Sequence, residues 1–299
     1  MKPHLFLKMF ALVLGALCFW QTDARAADEP VYELRIYTTN EGKLPDLLKR
    51  FREHTCKLFE KHGMTNIGYW VPVEKEDGAE NTLIYIISHK SRDAAKESWK
   101  AFGSDPEWQA AAKASEVNGK ILAKKPDSIF MTRTAFSPEI KPGAGTAPRV
   151  FELRTYTTPP GKLPALHARF TNPEMSIFTK HGMTHIGYWQ PTDEEHGHSN
   201  KMIYMLAHPS KEAGLKAFEA FRADPEWIKV KAESEKDGSL TLPKPSSILS
   251  AACAMKPARS CAVCSASADE LGDQRRVVPL AGVGLPRRDG VQDDRPEAD

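Results

Sequence analysis

Two short segments of this 299-residue chain each carry a glutamate, an arginine and a tyrosine at alternate positions. They read VYELRIYTT at Val31–Thr39 and VFELRTYTT at Val150–Thr158. Alternation of this kind is typical of a β-strand, so each polar trio shares one face. Arginine binds carboxylates through paired hydrogen bonds, and tyrosine hydroxyls can add more. The candidate anion-binding residues are therefore Glu33, Arg35, Tyr37, Glu152, Arg154 and Tyr156.

The elements that position these residues belong to a domain that occurs twice. KHGMTNIGYW at Lys61–Trp70 returns as KHGMTHIGYW at Lys180–Trp189, and SDPEW returns as ADPEW. The offset is 119 residues throughout, as from Val31 to Val150. Solenoid repeats are much shorter, at about 20–50 residues, so the pattern indicates a tandem duplication of a whole domain.

Each repeat reads as β-α-β-β-α-β, which predicts a ferredoxin-like α+β unit with both helices on one face of an antiparallel sheet. Pro72, near the end of the second strand, suggests an edge strand. In repeat 2, Asn172-Pro173 should break the long first helix, with Asn172 capping its continuation. We expect the two sheets to cover each other's open faces and to close an intramolecular α/β barrel.

In such a barrel the six polar side chains should point into or near the interior. One interpretation is a Glu–Arg network that fixes how the two halves dock, because buried charge is costly unless it is paired. The other is a pocket in which Arg35 and Arg154 grip an anionic ligand. Strand aromatics and strand-end histidines extend the candidate site; these are Tyr69, Tyr188, His89 and His208.

Other histidines and cysteines give weaker signals. His62 and His181 lie in the last turn of a predicted helix, where the helix dipole favours them. His196 and His198 form an H-x-H in a polar loop with no third ligand nearby, so no metal site is predicted. Cys261 and Cys264 match C-x-x-C, for which an incidental disulfide is as good an interpretation as a zinc or redox site.

The ends of the chain are predicted to lie outside the folded repeats. Residues 1–26 read as a signal peptide, with early lysines, an apolar run and an A-x-A cleavage site before Ala27, so the mature protein should be periplasmic or extracellular. The repeats then span 27–136 and 150–252, joined by a Pro/Gly-rich linker at 137–149. Residues 253–299 lack core periodicity, which suggests disorder or a frameshifted sequence near residue 250 that leaves the last strand incomplete.

The motifs Y/F-E-L-R-x-Y, G-K-L, K-H-G-M-T-x-I-G-Y-W and D-P-E-W together resemble the NIPSNAP family, over about residues 31–249. The resemblance implies membership of the dimeric α/β-barrel, ferredoxin-like superfamily. Eukaryotic members are associated with mitochondria, vesicle traffic and autophagy receptors, whereas exported, bacterial-type members have no settled activity. The wider superfamily includes haem-degrading monooxygenases. The export signal departs from the mitochondrial members, so their partners are not carried over.

These observations favour an exported protein that binds a small, anionic molecule or a protein partner without established catalysis. One alternative is a cofactor-poor or haem-related monooxygenase that uses the barrel cavity, with His62, His89 or their counterparts in repeat 2 as the haem ligand. Another is an interaction module whose edge strands pair with further copies, as in a homo-oligomer. No cofactor is predicted beyond that haem alternative. The net charge of +2 favours neither nucleic acid nor, after signal cleavage, a membrane surface.

Overall fold

The computed structural model describes residues 30–140, 149–243, 245–253 and 255. These described residues form eight strands, four from each repeat. In repeat 1 they are β1 Val31–Thr38, β2 Thr65–Pro72, β3 Thr82–His89 and β4 Asp127–Arg133. In repeat 2 they are β5 Val150–Thr157, β6 Thr184–Pro191, β7 Lys201–His208 and β8 Ser246–Ala252.

Each repeat also carries four helices whose starts follow from local sequence. Ser91 and Ser210 cap the third helix of their repeat, and Asp105 and Asp224 cap the fourth, which begins with proline. In repeat 1 the helices are α1 Leu44–Arg50, α2 Cys56–Lys61, α3 Arg92–Ser104 and α4 Pro106–Ser115. In repeat 2 they are α5 Leu163–Arg169, α6 Met175–Lys180, α7 Lys211–Ala223 and α8 Pro225–Ser234, with a short 3₁₀ turn at Glu194–His196.

A π-helical segment joins the first two helices of each repeat, at Phe51–Thr55 and at Phe170–Glu174. In repeat 2 Asn172 adopts an extended conformation (φ −157°, ψ 116°), which confirms the predicted break beside Pro173. The cap predicted from Asn172 is absent, because α6 begins after Glu174 without a side-chain cap. No helix in the described part of the chain is both long and apolar enough to cross a membrane.

The strands close a barrel in the order β1-β3-β2-β8-β5-β7-β6-β4, which confirms the predicted fold. Closure uses the two outer strands of each repeat. β2 pairs with β8 from Trp70↔Ala252 to Pro72↔Ser250, and β4 pairs with β6. β2 is thus the edge strand of the sheet of repeat 1, as Pro72 suggests, and β8 of repeat 2 covers that edge. Every one of the eight strands has two neighbours, so none offers the open edge that the interaction-module alternative requires.

The barrel interior is a single apolar core that both repeats build. Trp189, which has 0% exposure, packs there edge-on against Tyr32, and Trp70 packs against Phe151. Aliphatic side chains and methionines fill the remaining space, among them Leu34, Ile84, Ile86, Met131, Leu153, Ile203 and Met205. Because these large side chains come from both halves, neither repeat can complete this core alone.

The residues that follow the last strand of each repeat continue past the boundary between the two repeats and pack against the other repeat. The Thr134 N–H donates to the Tyr188 carbonyl oxygen at 3.0 Å, and the Cys253 N–H donates to that of Tyr69 at 2.8 Å. Phe136 then packs in the helix layer of repeat 2, and Met255 in that of repeat 1. β8 is as long as β4 and pairs along β5 from Thr155 to Val150, so the last strand of repeat 2 is complete.

The remaining predictions for the chain ends fall largely outside the described residues. The signal peptide at 1–26, the cysteines Cys261 and Cys264, and most of the predicted tail lie there. At the predicted boundaries the fold extends slightly further, because Ile140 packs in the barrel interior and Cys253 and Met255 pack against repeat 1.

Candidate functional site

The carboxylate of Glu33 lies at the centre of a polar cluster beneath the helices of repeat 1. Its Oε1 accepts hydrogen bonds from Arg35 Nη1 at 2.5 Å and from Ser128 Oγ at 2.6 Å. Its Oε2 accepts from Trp99 Nε1 at 2.7 Å and bonds His89 Nε2 at 3.1 Å. Glu33 is 1% exposed, so both carboxylate oxygens are fully engaged with protein donors rather than with solvent.

These partners keep Glu33 ionised. Burial alone would raise the pKa of Glu33, but the hydrogen bond from His89 and the charge of Arg35, assisted by Ser128 and Trp99, lower that pKa to about 2. A buried carboxylate with this many donors stabilises the fold in its charged form. It is poorly suited to act as a general base, because a carboxylate whose pKa lies so far below neutral pH is a very weak base.

Arg35 is equally committed to the protein. Its guanidinium lies 4.4 Å from the centroid of the Trp99 ring and donates a long hydrogen bond of 3.5 Å to Tyr37. The Tyr85 hydroxyl donates to the Tyr37 hydroxyl at 3.0 Å, and Tyr85 stacks on Tyr69 with ring centroids 5.4 Å apart. The arginine thus links the carboxylate to a layer of aromatic rings under the helices.

Repeat 2 builds the same cluster with one donor fewer. Arg154 Nη1 and Ser247 Oγ each donate to Glu152 Oε1 at 2.5 Å, and His208 Nε2 bonds Oε2 at 3.1 Å. The position of Trp99 is taken by Phe218, whose ring lies 4.7 Å from the Arg154 guanidinium but has no N–H to offer. Arg154 also donates to Tyr156 at 3.4 Å, and Tyr188 stacks on Tyr204.

The structure brings all ten predicted residues together, five in each repeat, but on the opposite side of the sheet from the one predicted. The six polar strand residues face the helices, whereas Tyr32 and Leu34 face the barrel interior. The physical reason is that both faces of β1 and β5 are buried. The prediction that the charges dock the two halves is also wrong, because every hydrogen bond of Glu33 and Glu152 named above stays within one repeat.

Both repeats of the chain also match a known family. The family model described as NIPSNAP matches residues 32–138 and 151–253. The chain belongs to the NIPSNAP family. Its two matched segments coincide with the two structural repeats, so each barrel half is a NIPSNAP repeat.

Relatives of this NIPSNAP chain are distant. A Dictyostelium discoideum protein named NipSnap homolog is 23% identical over 211 residues, which cover 70% of this chain and 83% of the relative. A nipsnap family protein with unknown function from Agrobacterium tumefaciens is 23% identical, with a TM-score of 0.32, over 37% of this chain and 93% of that one. A Lactobacillus acidophilus structure with a provisional monooxygenase name is 12% identical, with a TM-score of 0.47, over 75% of this chain and 94% of that one.

The K-H-G and D-P-E-W motifs of each NIPSNAP repeat meet at one buried aspartate. Asp105 Oδ1 accepts the Glu107 N–H as a helix cap, while Oδ2 bonds Lys61 Nζ at 2.6 Å and His62 Nε2 at 2.7 Å. Lys61 and His62 hold the pKa of Asp105 well below its usual range. Repeat 2 has the same arrangement around Asp224. These histidines therefore join two helices, a contact that the helix-dipole interpretation did not include.

The described residues offer little for a metal or haem. His62 and His89 each direct Nε2 to a buried carboxylate, and large apolar side chains fill the barrel interior, so neither histidine fits the predicted role of haem ligand. His198 Nδ1 bonds the Pro191 carbonyl oxygen, and His196 lies beside Glu195. Within the described ranges no three His, Cys, Asp or Glu side chains are grouped to hold a metal ion.

Sequence reasoning missed several residues of these clusters. Ser128 and Ser247 occupy equivalent positions in the fourth strands, a match that the 119-residue offset could have revealed. The Trp99–Phe218 difference could also have been read from the sequence, although its consequence for the carboxylate could not. Another missed residue is Glu174 of repeat 2, whose equivalent in repeat 1 is Thr55.

Glu174 is a buried acid in the π-helical segment of repeat 2. Its Oε2 accepts from Arg169 Nε at 2.9 Å, and Arg169 Nη1 also donates to Glu235 at 2.8 Å. Burial raises the pKa of Glu174 to about 7, against the opposing charge of Arg169. The folded state therefore favours the protonated form more strongly than the unfolded state does.

We expect Glu174→Gln to stabilise the protein at alkaline pH. Because the folded-state pKa lies above the unfolded value of 4.5, wild-type stability falls as pH rises from 4.5 through about 7. The variant loses this dependence, so its free energy of unfolding should exceed that of wild type by about 3 kcal/mol at pH 8 and match it at pH 4. Urea unfolding at both pH values checks this, and the same pH dependence in variant and wild type would contradict it.

Two grooves lie on the helical side of the barrel. The groove of repeat 1 measures about 230 Å³ and lies between α1 with its π-helical continuation and α4. Arg50 and Ser115 line it, together with Lys49 and His54. The groove of repeat 2 measures about 450 Å³ and is lined by α7 and α8 with their following turn, including Trp227 and Ile228.

Proposed function

We propose that this NIPSNAP-family chain is an exported, non-catalytic binding protein that takes a small molecule on the helical outside of its barrel. The observation that carries this proposal is the filled interior. An enzyme that works inside the barrel needs an open cavity reached by a titratable side chain. Here large apolar side chains from both repeats fill that space, and the acids and bases of β1 and β5 face away from it.

Arg35 and Arg154 are already occupied by partners within the protein, so we place the ligand away from them. Each arginine is already paired with a buried glutamate at 2.5 Å and covered by an aromatic ring. A ligand carboxylate would have to displace that internal partner, which would leave the glutamate buried and unpaired. A ligand in one of the grooves on the helical side of the barrel would not have to displace Glu33 or Glu152 from its arginine.

Export is the part of this proposal that rests on the sequence alone. Lys2 and Lys8 precede an apolar run at Met9–Trp20, and an A-x-A signal ends at Ala26. Cleavage there would release a chain that begins at Ala27, shortly before β1. Fractionation of the source cells, followed by N-terminal sequencing, tests this part separately from ligand binding.

Native mass spectrometry of the mature protein, purified gently from its own host, tests the binding function. The expected result is one defined extra mass of small-molecule size on the folded chain. The bare polypeptide mass under conditions that preserve weak complexes would overturn the proposal. A co-purified polypeptide would also overturn it, in favour of the protein partner. Added haem should give no Soret band, and a stoichiometric band would restore the monooxygenase alternative.

A further inference from the structure

Arg50 is a buried cation at the end of α1 that repeat 1 neutralises incompletely. It is 6% exposed and lies 5.2 Å from the centroid of the Trp108 ring. Its Nη1 donates to Ser115 Oγ at 3.1 Å and forms an ion pair with the partly exposed Glu116 only at 3.7 Å, beyond hydrogen-bond length. Its Nε–H is buried and finds no acceptor among the described residues; the same is true of Arg35 and Arg154, but each of those two has a buried glutamate at 2.5 Å from Nη1, which Arg50 lacks. A buried guanidinium N–H without an acceptor is costly, so it calls for an explanation.

In repeat 2 the equivalent arginine, Arg169, has carboxylate acceptors for its guanidinium N–H groups. Arg169 has the same surroundings, with Trp227 at 5.0 Å and Ser234 Oγ at 3.4 Å from its guanidinium. There the Nε–H donates to the carboxylate of Glu174, and Nη1 donates to Glu235 at 2.8 Å. The position of Glu174 is Thr55 in repeat 1, and Thr55 has no carboxylate to offer. The chain thus contains one copy of this site with an internal carboxylate and one copy without it.

The copy without the carboxylate adjoins the groove of about 230 Å³. Besides Arg50, this groove is lined by Lys49 and His54, which repeat 2 replaces by Ala168 and Pro173. The acids at the groove are Asp46, which bonds Lys43 at 3.2 Å, and the exposed Glu53. Burial lowers the pKa of Arg50, and the charge of Glu116 opposes this only in part, which agrees with a cation short of counter-charge. Lys49 and His54 are therefore specific to the repeat whose arginine lacks a buried carboxylate partner.

We propose that the groove of repeat 1 binds a small carboxylate-bearing molecule, whose carboxylate bonds the Arg50 guanidinium and supplies the counter-charge that Glu174 supplies to Arg169. Lys49 supplies a second positive charge at the exposed rim, which suits a ligand with two acidic groups. This inference deepens the proposed binding function and rests on it. A groove of about 230 Å³ suits a ligand of small-metabolite size.

Calorimetric titration of the protein from Ala27 with succinate tests the site, with succinamide as the uncharged control. We expect one succinate per chain and no binding of succinamide. Thr55→Glu gives repeat 1 the internal carboxylate of repeat 2 and should abolish binding. Lys49→Ala, which copies Ala168 at an exposed position, should weaken binding by about three- to tenfold while the fold is kept. Glu174→Gln should leave the affinity unchanged.

Absence of saturable succinate binding to the wild-type protein would overturn the carboxylate site, as would equal affinities in wild type and Lys49→Ala. Binding that persists in a folded Thr55→Glu protein would overturn it as well, because the ligand would then lie elsewhere. These failures are distinct from failure of the proposed function. A small molecule retained in native mass spectrometry without succinate binding would leave the binding function in place and exclude this site.

Discussion

Glu33→Gln should lower the free energy of unfolding by about 3–5 kcal/mol, because it breaks a buried ion pair and leaves Arg35 uncompensated. The neutral amide presents its own N–H groups toward two of the four donors that surround Glu33. The ionised carboxylate contributes this stability above pH 4.5, and it is lost as pH falls toward 2. Urea unfolding at pH 7 and pH 3 measures both effects, and the difference between variant and wild type should shrink at the lower pH.

The two repeats provide a matched control for this prediction. Trp99→Phe copies Phe218 and removes one hydrogen bond to a charged group, so it should cost about 1.5–3 kcal/mol, less than loss of the carboxylate. Glu152→Gln should cost less than Glu33→Gln, because Glu152 has only three donors. Equal stability of Glu33→Gln and wild type at neutral pH would show that the cluster does not stabilise the fold.

Trp189→Ala should destabilise the protein by about 3–5 kcal/mol, because it removes a fully buried ring from the centre of the barrel. The ring contacts residues of both repeats, including Tyr32 from β1, so its removal weakens the packing between the two repeats. Thermal and urea unfolding should remain a single transition, since neither repeat can complete the interior core alone.

Leu215→Ala is the control for this second prediction. Leu215 is 59% exposed on α7, and its truncation should change the free energy of unfolding by less than about 0.5 kcal/mol. A similarly small effect of Trp189→Ala would indicate a loosely packed or water-filled interior. That result would return the barrel cavity to consideration as a ligand or catalytic site.

The architecture could be predicted from the sequence because the duplication and the alternation of β1 and β5 are strong local signals. Which face of β1 lines the barrel could not be predicted. Alternation separates Tyr32 and Leu34 from Glu33 and Arg35, but it does not say which row faces the helices when both faces are buried. That choice depends on Trp99, Ser128 and His89, which reach Glu33 from distant parts of the chain.

Only part of the difference between the two copies of the arginine site, Arg50 in repeat 1 and Arg169 in repeat 2, could be predicted from the sequence. Pro173 predicts the helix break, because proline in the interior of a helix removes a backbone hydrogen bond and clashes with the preceding turn. The pairing of Glu174 with Arg169 depends on the kinked segment at Phe170–Glu174, and the sequence predicted the break but not the contact that forms across it. Once the Glu174–Arg169 pair is known, the threonine at position 55 identifies repeat 1 as the copy in which the arginine, Arg50, has no such carboxylate.

We infer that Arg35 stabilises the fold through its ion pair with Glu33 and does not bind ligand. The most direct test is Arg35→Gln, with the free energy of unfolding and the bound mass measured on the same preparation. We predict a loss of about 3 kcal/mol, because Glu33 is left as a buried charge without its cation, together with the same bound mass as wild type. Unchanged or higher stability combined with loss of the bound mass would contradict this account and identify Arg35 as a ligand-binding residue.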